Sequence, residues 1–279
     1  METGSVQNHR GREKGLIVYP VYSRRSRGLS IGINLFPGNK VCDYNCPYCE
    51  VFPFFANAKF ELVQMENELR EVIANSIKQK IPIKDICFSG NGEPTLSPDF
   101  TSALLKVYEI RDSLVPETPI VLITNGSGLL KDNIFNLLAN NAAAKSQQKD
   151  KNLVIWLKVD AATEAWFNKI NRPLGEKFLS LLDRIRQFAK NSSFIVQTMI
   201  CKIEGMLPPQ EEEKAWFDFV TEISGQGNIM AVQIYGKARS SPHDPLAEAT
   251  LPAILEKRAT MLIKALEKTG YEIPVDIFP

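Results

Sequence analysis

Apolar positions along this chain follow two alternating rhythms. Short runs rich in Ile, Val, Leu and Phe, bounded by Gly, Asn and Pro, read as buried strands. Between them lie longer stretches with an apolar residue every third or fourth position, the period of a helix with one buried face. Strands are predicted over residues 29–36, 85–90, 120–124, 153–160, 194–201 and 229–235. The helix over 66–80 carries Leu69, Val72, Ile73 and Ile77 on one face, and the next is opened by Ser97 with Pro98 at its first position. Asn125-Gly126 elsewhere signals a hairpin. Here Leu130, Ile134, Leu137 and Leu138 keep helical spacing beyond it, so it is a strand-to-helix turn. Further helices are expected over 179–189, over 208–224, where prolines and acids precede Trp216, Phe219, Val220 and Ile223, and over 251–268. Residues 271–278 form a short extended end.

Strand and helix alternate without an internal linker, which predicts one α/β layer system with a mostly parallel sheet. Six such units make a partial (β/α)6 barrel of the TIM type, a single domain over residues 29–279, preceded by a basic arm over 1–28. Folds of this class place function at the C-terminal ends of the strands. Three informative loops fall at that edge: a cysteine loop after the first strand, Gly90 to Pro94 after the second, and Thr124-Asn125-Gly126 after the third.

A length of 279 residues with 44% hydrophobic and 23% charged residues is ordinary for one globular unit of this kind. No apolar run approaches the roughly 18 residues of a membrane span, and the polar start lacks the apolar core of a signal peptide. Free thiols then point to a reducing, cytoplasmic setting. The net charge of +1 gives no general case for nucleic-acid binding through the overall field. The arm is different: Arg10, Arg12, Lys14, Arg24, Arg25 and Arg27 face only Glu2 and Glu13. Arg24, Arg25 and Arg27 run straight into the first strand and are candidates to present guanidinium groups to an anionic substrate.

The sharpest chemistry lies in Cys42-Asp-Tyr-Asn-Cys46-Pro-Tyr-Cys49. Three thiolates so spaced can wrap one corner of an iron-sulfur cube, which normally takes four. Cys87 and Cys201 each stand alone in an apolar run, where a free cysteine behaves as a small buried hydrophobe. One iron is thus left without a protein ligand, and an open metal position is where chemistry happens. A zinc site remains the alternative, but structural zinc is closed by four ligands, and the available histidines, His9 and His243, lie far from the loop in sequence. In the fourth strand, alternation puts Ile155, Leu157 and Val159 on one face and Trp156, Lys158 and Asp160 on the other. Charges in a central strand need partners, unless they form a pair at an exposed strand end. Asn125, Gln197, Gln233 and Tyr235 are expected to face the same lumen. His243, in a turn-rich segment, is expected to be solvated.

The three-cysteine motif, the Gly90-Asn91-Gly92-Glu93-Pro94 loop and the six strand-helix units resemble the radical S-adenosylmethionine (radical SAM) superfamily. Residues 20–35, 89–95, 158–161, 168–173 and 233–235 resemble more narrowly the small iron-sulfur oxidoreductases grouped with wybutosine-synthesis enzymes. The resemblance implies a 4Fe-4S cluster on Cys42, Cys46 and Cys49. S-adenosylmethionine (SAM) completes its open iron, and a flavodoxin- or ferredoxin-like donor supplies one electron. Reductive cleavage then gives a 5'-deoxyadenosyl radical that abstracts hydrogen from an unidentified substrate. It also implies Tyr48 near the adenine, and Gly90, Asn91, Gly92, Glu93 and Pro94 about the methionyl amino group, with glycine permitting close backbone approach. Lys158 would take the carboxylate, Asp160 the ribose or a neighbour, and Asn125, Gln197, Gln233 and Tyr235 the ribose and adenine. Alternatives on the same fold are a non-catalytic iron-sulfur or zinc module, an activase acting on a protein partner, and wybutosine-type chemistry on tRNA. Against the last, the chain has no second cysteine cluster.

Overall fold

The computed structural model describes residues 15–142, 153–175 and 177–279. Arg10, Arg12 and Lys14 of the basic arm lie outside the described residues. The chain divides into two compact units. Unit 1 comprises Met1–Cys42, Pro53–Thr124 and Gln147–Val154, and unit 2 comprises Asp43–Phe52, Asn125–Ser146 and Ile155–Pro279.

Unit 1 contains β1 (Val18–Ser23), β2 (Gly28–Ile33), α1 (Leu62–Lys78), β3 (Ile83–Phe88), α2 (Phe100–Leu114) and β4 (Ile120–Thr124). Its strands lie in the order β1-β2-β3-β4. β1 is antiparallel to β2, and the other pairs are parallel. Residues 18–23, read from sequence as part of the basic arm, are therefore a strand. Pro20 hid it, because proline removes a ladder donor and argues against a strand except at an edge, and an edge is where β1 lies. The helix-facing side of the sheet is packed with Ile31, Ile33, Ile86 and Phe88, all fully buried. The ring of Phe88 meets Phe100 edge-on at 5.6 Å. Leu69, Val72 and Ile73 of α1 are buried as their spacing predicts, and Met65, ahead of the predicted start, is buried with them. Ile77 is instead 55% exposed, and Ser76 takes the inward position by donating its hydroxyl to the Val72 carbonyl at 2.8 Å. α2 starts two positions later than Pro98 suggested. Ser97 Oγ accepts the Asp99 N–H at 3.2 Å, which makes a turn ahead of the helix rather than its cap.

The arginine turn also belongs to this unit. Residues 24–27 join β1 to β2 at the N-terminal end of β2, while the cysteine loop follows the C-terminal end. Six strand residues, about 20 Å of extended chain, separate Arg24, Arg25 and Arg27 from that edge. Arg25 instead faces Asp85. Burial raises the Asp85 carboxyl above the usual carboxylate range, while the Ser26 and Ser30 hydroxyls and the Arg25 charge partly offset it.

Unit 2 contains α3 (Asp132–Asn141), β5 (Leu153–Lys158), of which residues 155–158 belong here, α4 (Glu164–Ile170), α5 (Phe178–Ala189), β6 (Phe194–Ile200), β7 (Lys202–Ile203), α6 (Gln210–Ser224), β8 (Ile229–Gly236), β9 (Ala247–Glu248), α7 (Pro252–Leu266) and β10 (Val275–Phe278). β5, β6, β8 and β10 lie side by side in that order, all parallel. β7 and β9 form a separate antiparallel pair. The register aligns Lys158 with Gln197, Gln197 with Gln233, and Gln233 with Asp276. One polar row thus crosses four parallel strands. α4 escaped the sequence reading; Thr163 caps it, accepting the Trp166 N–H at 3.4 Å. Among the described residues no helix is long and apolar enough to cross a membrane.

Candidate functional site

In unit 1 the chain entering the cysteine loop is fastened to the Gly90 to Pro94 loop. Asn34, fully buried, follows β2, which ends at Ile33, three residues before the predicted strand end at 36. Its Oδ1 accepts the N–H groups of Phe36 at 3.1 Å and Asn91 at 3.2 Å. Val41, next to Cys42, donates its N–H to the Asn91 carbonyl at 3.0 Å and accepts the Glu93 N–H at 2.9 Å. This close approach explains the glycines. A Cβ on Gly92 would stand 1.8 Å from the Val41 carbonyl oxygen, and one on Gly90, whose φ is 143°, would stand 2.6 Å from Asn34 Oδ1. Both glycines are required by loop-on-loop packing, a nearer cause than the approach of a ligand. Glu93 is 3% exposed. Its Oε1 accepts the Thr95 N–H at 3.2 Å and the hydroxyls of Thr95 and Thr124 at 2.7 Å each. Pro94 opens the short 3-10 turn that follows.

Gly92→Ala should therefore destabilise the fold, because backbone cannot yield as a flexible side chain does. The cost is expected at or above the roughly 1–3 kcal/mol of overpacking. A lowered urea midpoint with unchanged slope would report it.

In unit 2 the rest of the cysteine loop meets the end of β5. Tyr48 donates its hydroxyl to Asp160. Asp160 also accepts from Asn171 Nδ2 at 2.9 Å and from the Met199 N–H at 2.9 Å, and lies 3.3 Å from Lys158 Nζ. Lys158 donates to the Tyr235 hydroxyl at 2.5 Å. Its ammonium stands 4.5 Å from the ring centroid of Tyr48 and 5.2 Å from that of Tyr235, within cation-π range. Cys46 adjoins the same group: Asn171 Nδ2 lies 3.7 Å from its sulfur, and its thiol faces the Asn171 carbonyl at 3.5 Å.

The electrostatics follow from burial and from these pairs. Burial pulls the Lys158 ammonium towards neutrality, but Asp160, Tyr235 and Cys46 outweigh it and hold the group protonated beyond its usual range. Burial lifts the Tyr48 phenol well above its ordinary value, and the Asp160 charge adds to the lift. Desolvation pushes the Cys46 thiol up to about 11, with Lys158 opposing and Asp160 reinforcing. A metal must therefore displace its proton, since the thiolate is the ligand.

The Asp160 side chain is fully enclosed, whereas Lys158 keeps 15% of its side chain exposed. Asp160 is thus the inner counter-ion that fixes Tyr48, Asn171 and Lys158, and Lys158 is the member of the pair that a ligand can reach. The alternative of a Lys-Asp pair at an exposed strand end does not hold. Gln197 and Gln233 bond to each other at 2.6 Å. Asn125 reaches back to the cysteine loop, donating to Asp43 Oδ1 at 3.0 Å while its own oxygen accepts the Ser127 N–H at 2.8 Å; Lys177 pairs with the same Asp43 at 3.3 Å. His243, expected to be solvated, is half-buried, and its Nε2 lies 3.3 Å from Asn45 Oδ1. Arg239 pairs with Glu50 at 2.5 Å, so the segment after β8 holds the cysteine loop at two points. Cys87 and Cys201 are buried. Among the described residues no group of three or more His, Cys, Asp or Glu side chains converges on a single metal ion.

Asn171 was not singled out from sequence. It caps the C-terminal end of α4. Arg172 follows in the left-handed region with φ of 46°, and Pro173 prevents continuation of the helix. The Asn171 and Arg172 carbonyls both accept the Asn45 N–H, at 3.1 and 3.0 Å, and the Leu174 N–H bonds the Asp43 carbonyl at 2.8 Å. The Asn-Arg-Pro sequence directly after a short helix was the available signal.

No protein-family model matches the chain. Among curated proteins it is 26% identical over 211 residues to a UPF0026 protein of Helicobacter pylori, covering 75% of this chain and 63% of the relative. It is 31% identical over 190 residues to a UPF0026 protein of Methanocaldococcus jannaschii, covering 65% and 52%. The chain thus spans between about half and just under two thirds of the curated relatives it matches. Among solved structures, SuiB of Streptococcus suis bound to S-adenosylmethionine matches with TM-score 0.63 and 15% identity, over 86% of this chain and 49% of that one. A radical SAM methyltransferase from Sphaerobacter thermophilus matches at 0.60 and 12%, over 90% and 66%. TYW1 with a lysine-pyruvate adduct bound matches at 0.54 and 12%, over 84% and 73%. At such identities the likeness speaks for the fold: this chain has the mostly parallel, partial-barrel α/β fold of radical SAM enzymes, the superfamily its motifs resemble.

Proposed function

We propose that the chain is a radical SAM enzyme of the iron-sulfur oxidoreductase kind, with a 4Fe-4S cluster held by Cys42, Cys46 and Cys49 and one iron left for SAM. The observation that carries this reading is the junction in unit 2 of Cys46 and Tyr48, from the cysteine motif, with Lys158 and Asp160, more than a hundred positions later. A cluster of thiolate-ligated iron needs hydrogen-bond donors and compensating positive charge near its sulfurs. Cys46 has both, in Asn171 Nδ2 and in Lys158. When bound, the cluster and SAM supply one-electron reductive cleavage of a sulfur-carbon bond and so hydrogen abstraction, the hard chemistry that cofactors carry.

The chain's own residues bind and orient. Lys158, held protonated and still reachable, is placed to pair with a carboxylate. Asp160 keeps that ammonium in position and draws the Tyr48 ring beneath it. Tyr235 fixes it from the other side. In unit 1, Asn34 and the two glycines set the loop that carries Glu93, whose carboxylate suits an ammonium partner. TYW1 was solved with a lysine-pyruvate adduct, and an amine must be neutral to form one. Lys158 is held protonated, so we assign it to charge pairing instead. The arginine turn, at the N-terminal end of β2, lends no support to a nucleic-acid substrate at the cysteine-loop edge. A flavodoxin- or ferredoxin-like donor completes the proposal as the source of the electron.

Anaerobic reconstitution tests it against the zinc alternative. About four irons per chain with visible iron-sulfur absorbance are expected. One tightly held zinc and no such absorbance would overturn the reading.

A further inference from the structure

We infer that Asn171 is a positioning residue that raises the reduction potential of the cluster, through a hydrogen bond from its side-chain amide to the sulfur of Cys46. The inference rests on the proposed cluster at the cysteine motif. A side-chain amide nitrogen carries two N–H donors, and three acceptors lie about Asn171 Nδ2: Asp160 Oδ2 at 2.9 Å, the Tyr48 hydroxyl oxygen at 3.5 Å, which is long for an N–H···O bond, and Cys46 Sγ at 3.7 Å, where the larger sulfur still accepts. Asn171 is itself buried, so water does not compete freely for any of them.

Its geometry is fixed from both ends. The backbone is held by the left-handed turn at Arg172 and by the Asn45 N–H on its carbonyl, and the side chain is held by Asp160. In the metal-free chain the Cys46 thiol faces the Asn171 carbonyl at 3.5 Å. Iron takes the place of that thiol proton, which ends any donation to the carbonyl and leaves Nδ2 as the donor to sulfur. A hydrogen bond to a ligating sulfur stabilises the electron-rich, reduced cluster more than the oxidised one. Such bonds are among the determinants of cluster potential.

The consequence matters because SAM cleavage requires the reduced cluster. Asn171 would also tie the two halves of the unit 2 network together. One amide reports the position of Asp160, and through it Lys158, to the sulfur that feels the electron.

The test compares Asn171→Leu with Tyr235→Phe, which removes a partner of Lys158 and leaves both the Asn171 amide and the Tyr48 hydroxyl in place at Cys46. Asn171→Leu is expected to shift the ratio of reduced to oxidised cluster about tenfold towards oxidised at a fixed potential, or ~59 mV downward for a one-electron couple. Tyr235→Phe should shift it much less. The readout is an EPR-monitored redox titration of the reconstituted, full-length protein, which needs no turnover. An unchanged potential in Asn171→Leu, or equal shifts in both variants, would overturn the inference. If the wild type assembles no cluster, it is the proposed function that fails, so the two failures are distinguishable. Should Asn171→Leu fold poorly, Asn171→Asp supplies the second variant. It keeps the shape, replaces the donor with an acceptor, and is expected to lower the potential further than the leucine does.

Discussion

Cys46→Ala should reduce iron loading from about four per chain to near zero and abolish SAM cleavage with it. Of the three motif cysteines, Cys46 has the surroundings in view: an amide donor at its sulfur and the Lys158 charge in its field. Two remaining thiolates leave two irons of a cube without protein ligands, which is too few for a cluster that normally uses four cysteines. The natural control is Cys201→Ala. Cys201 is fully buried, and burial pushes its thiol up to about 12, so it offers no thiolate at neutral pH. Iron and sulfide analysis of the two variants side by side should show loss in the first and retention in the second. Loading that survives Cys46→Ala would place the metal elsewhere.

Lys158→Met should spare the cluster and weaken SAM binding by about 10–100-fold, as expected for losing a hydrogen bond to a charged group worth roughly 1.5–3 kcal/mol. Methionine keeps the length and apolar stem of lysine and removes only the charge and its donors. The fold should survive at a cost. Breaking a buried pair typically costs about 3–5 kcal/mol because it strands the partner. Here the low end is expected, since Asp160 retains Tyr48, Asn171 and the Met199 N–H. Calorimetric titration of the reconstituted protein with SAM checks the affinity, and iron content checks that the cluster is intact. Unchanged affinity in a folded, loaded variant would remove Lys158 from the site.

Much of this was legible in the sequence because two signals are local. Apolar spacing located every strand of the parallel series and nearly every long helix, with ends displaced by a few residues. The cysteine spacing and the glycine loop carry the resemblance on which the proposed chemistry rests. What was not legible depends on tertiary contacts. Pro20 concealed an edge strand that tolerates it. Ser76 displaced Ile77 from the buried face of α1 by bonding to its own helix backbone. The arginines looked adjacent to the cysteine loop in sequence, yet the strand between them carries the two to opposite ends. Alternation correctly put Lys158 and Asp160 on one face, but it could not divide their work. Only the three hydrogen bonds converging on Asp160 show which charge is enclosed and which is presented. Asn171 owes its place to a helix end and a left-handed turn, features without a periodic signature.

In the proposed enzyme the open corner of a three-cysteine cluster and the Lys158 network serve SAM cleavage together. The most direct test is to reconstitute the chain anaerobically, add SAM and dithionite, and measure 5'-deoxyadenosine by chromatography. Release is expected from the wild type, none from Cys46→Ala, and a slow, SAM-concentration-dependent release from Lys158→Met. A chain that binds its irons, is reduced, and still releases no 5'-deoxyadenosine would contradict the proposed function.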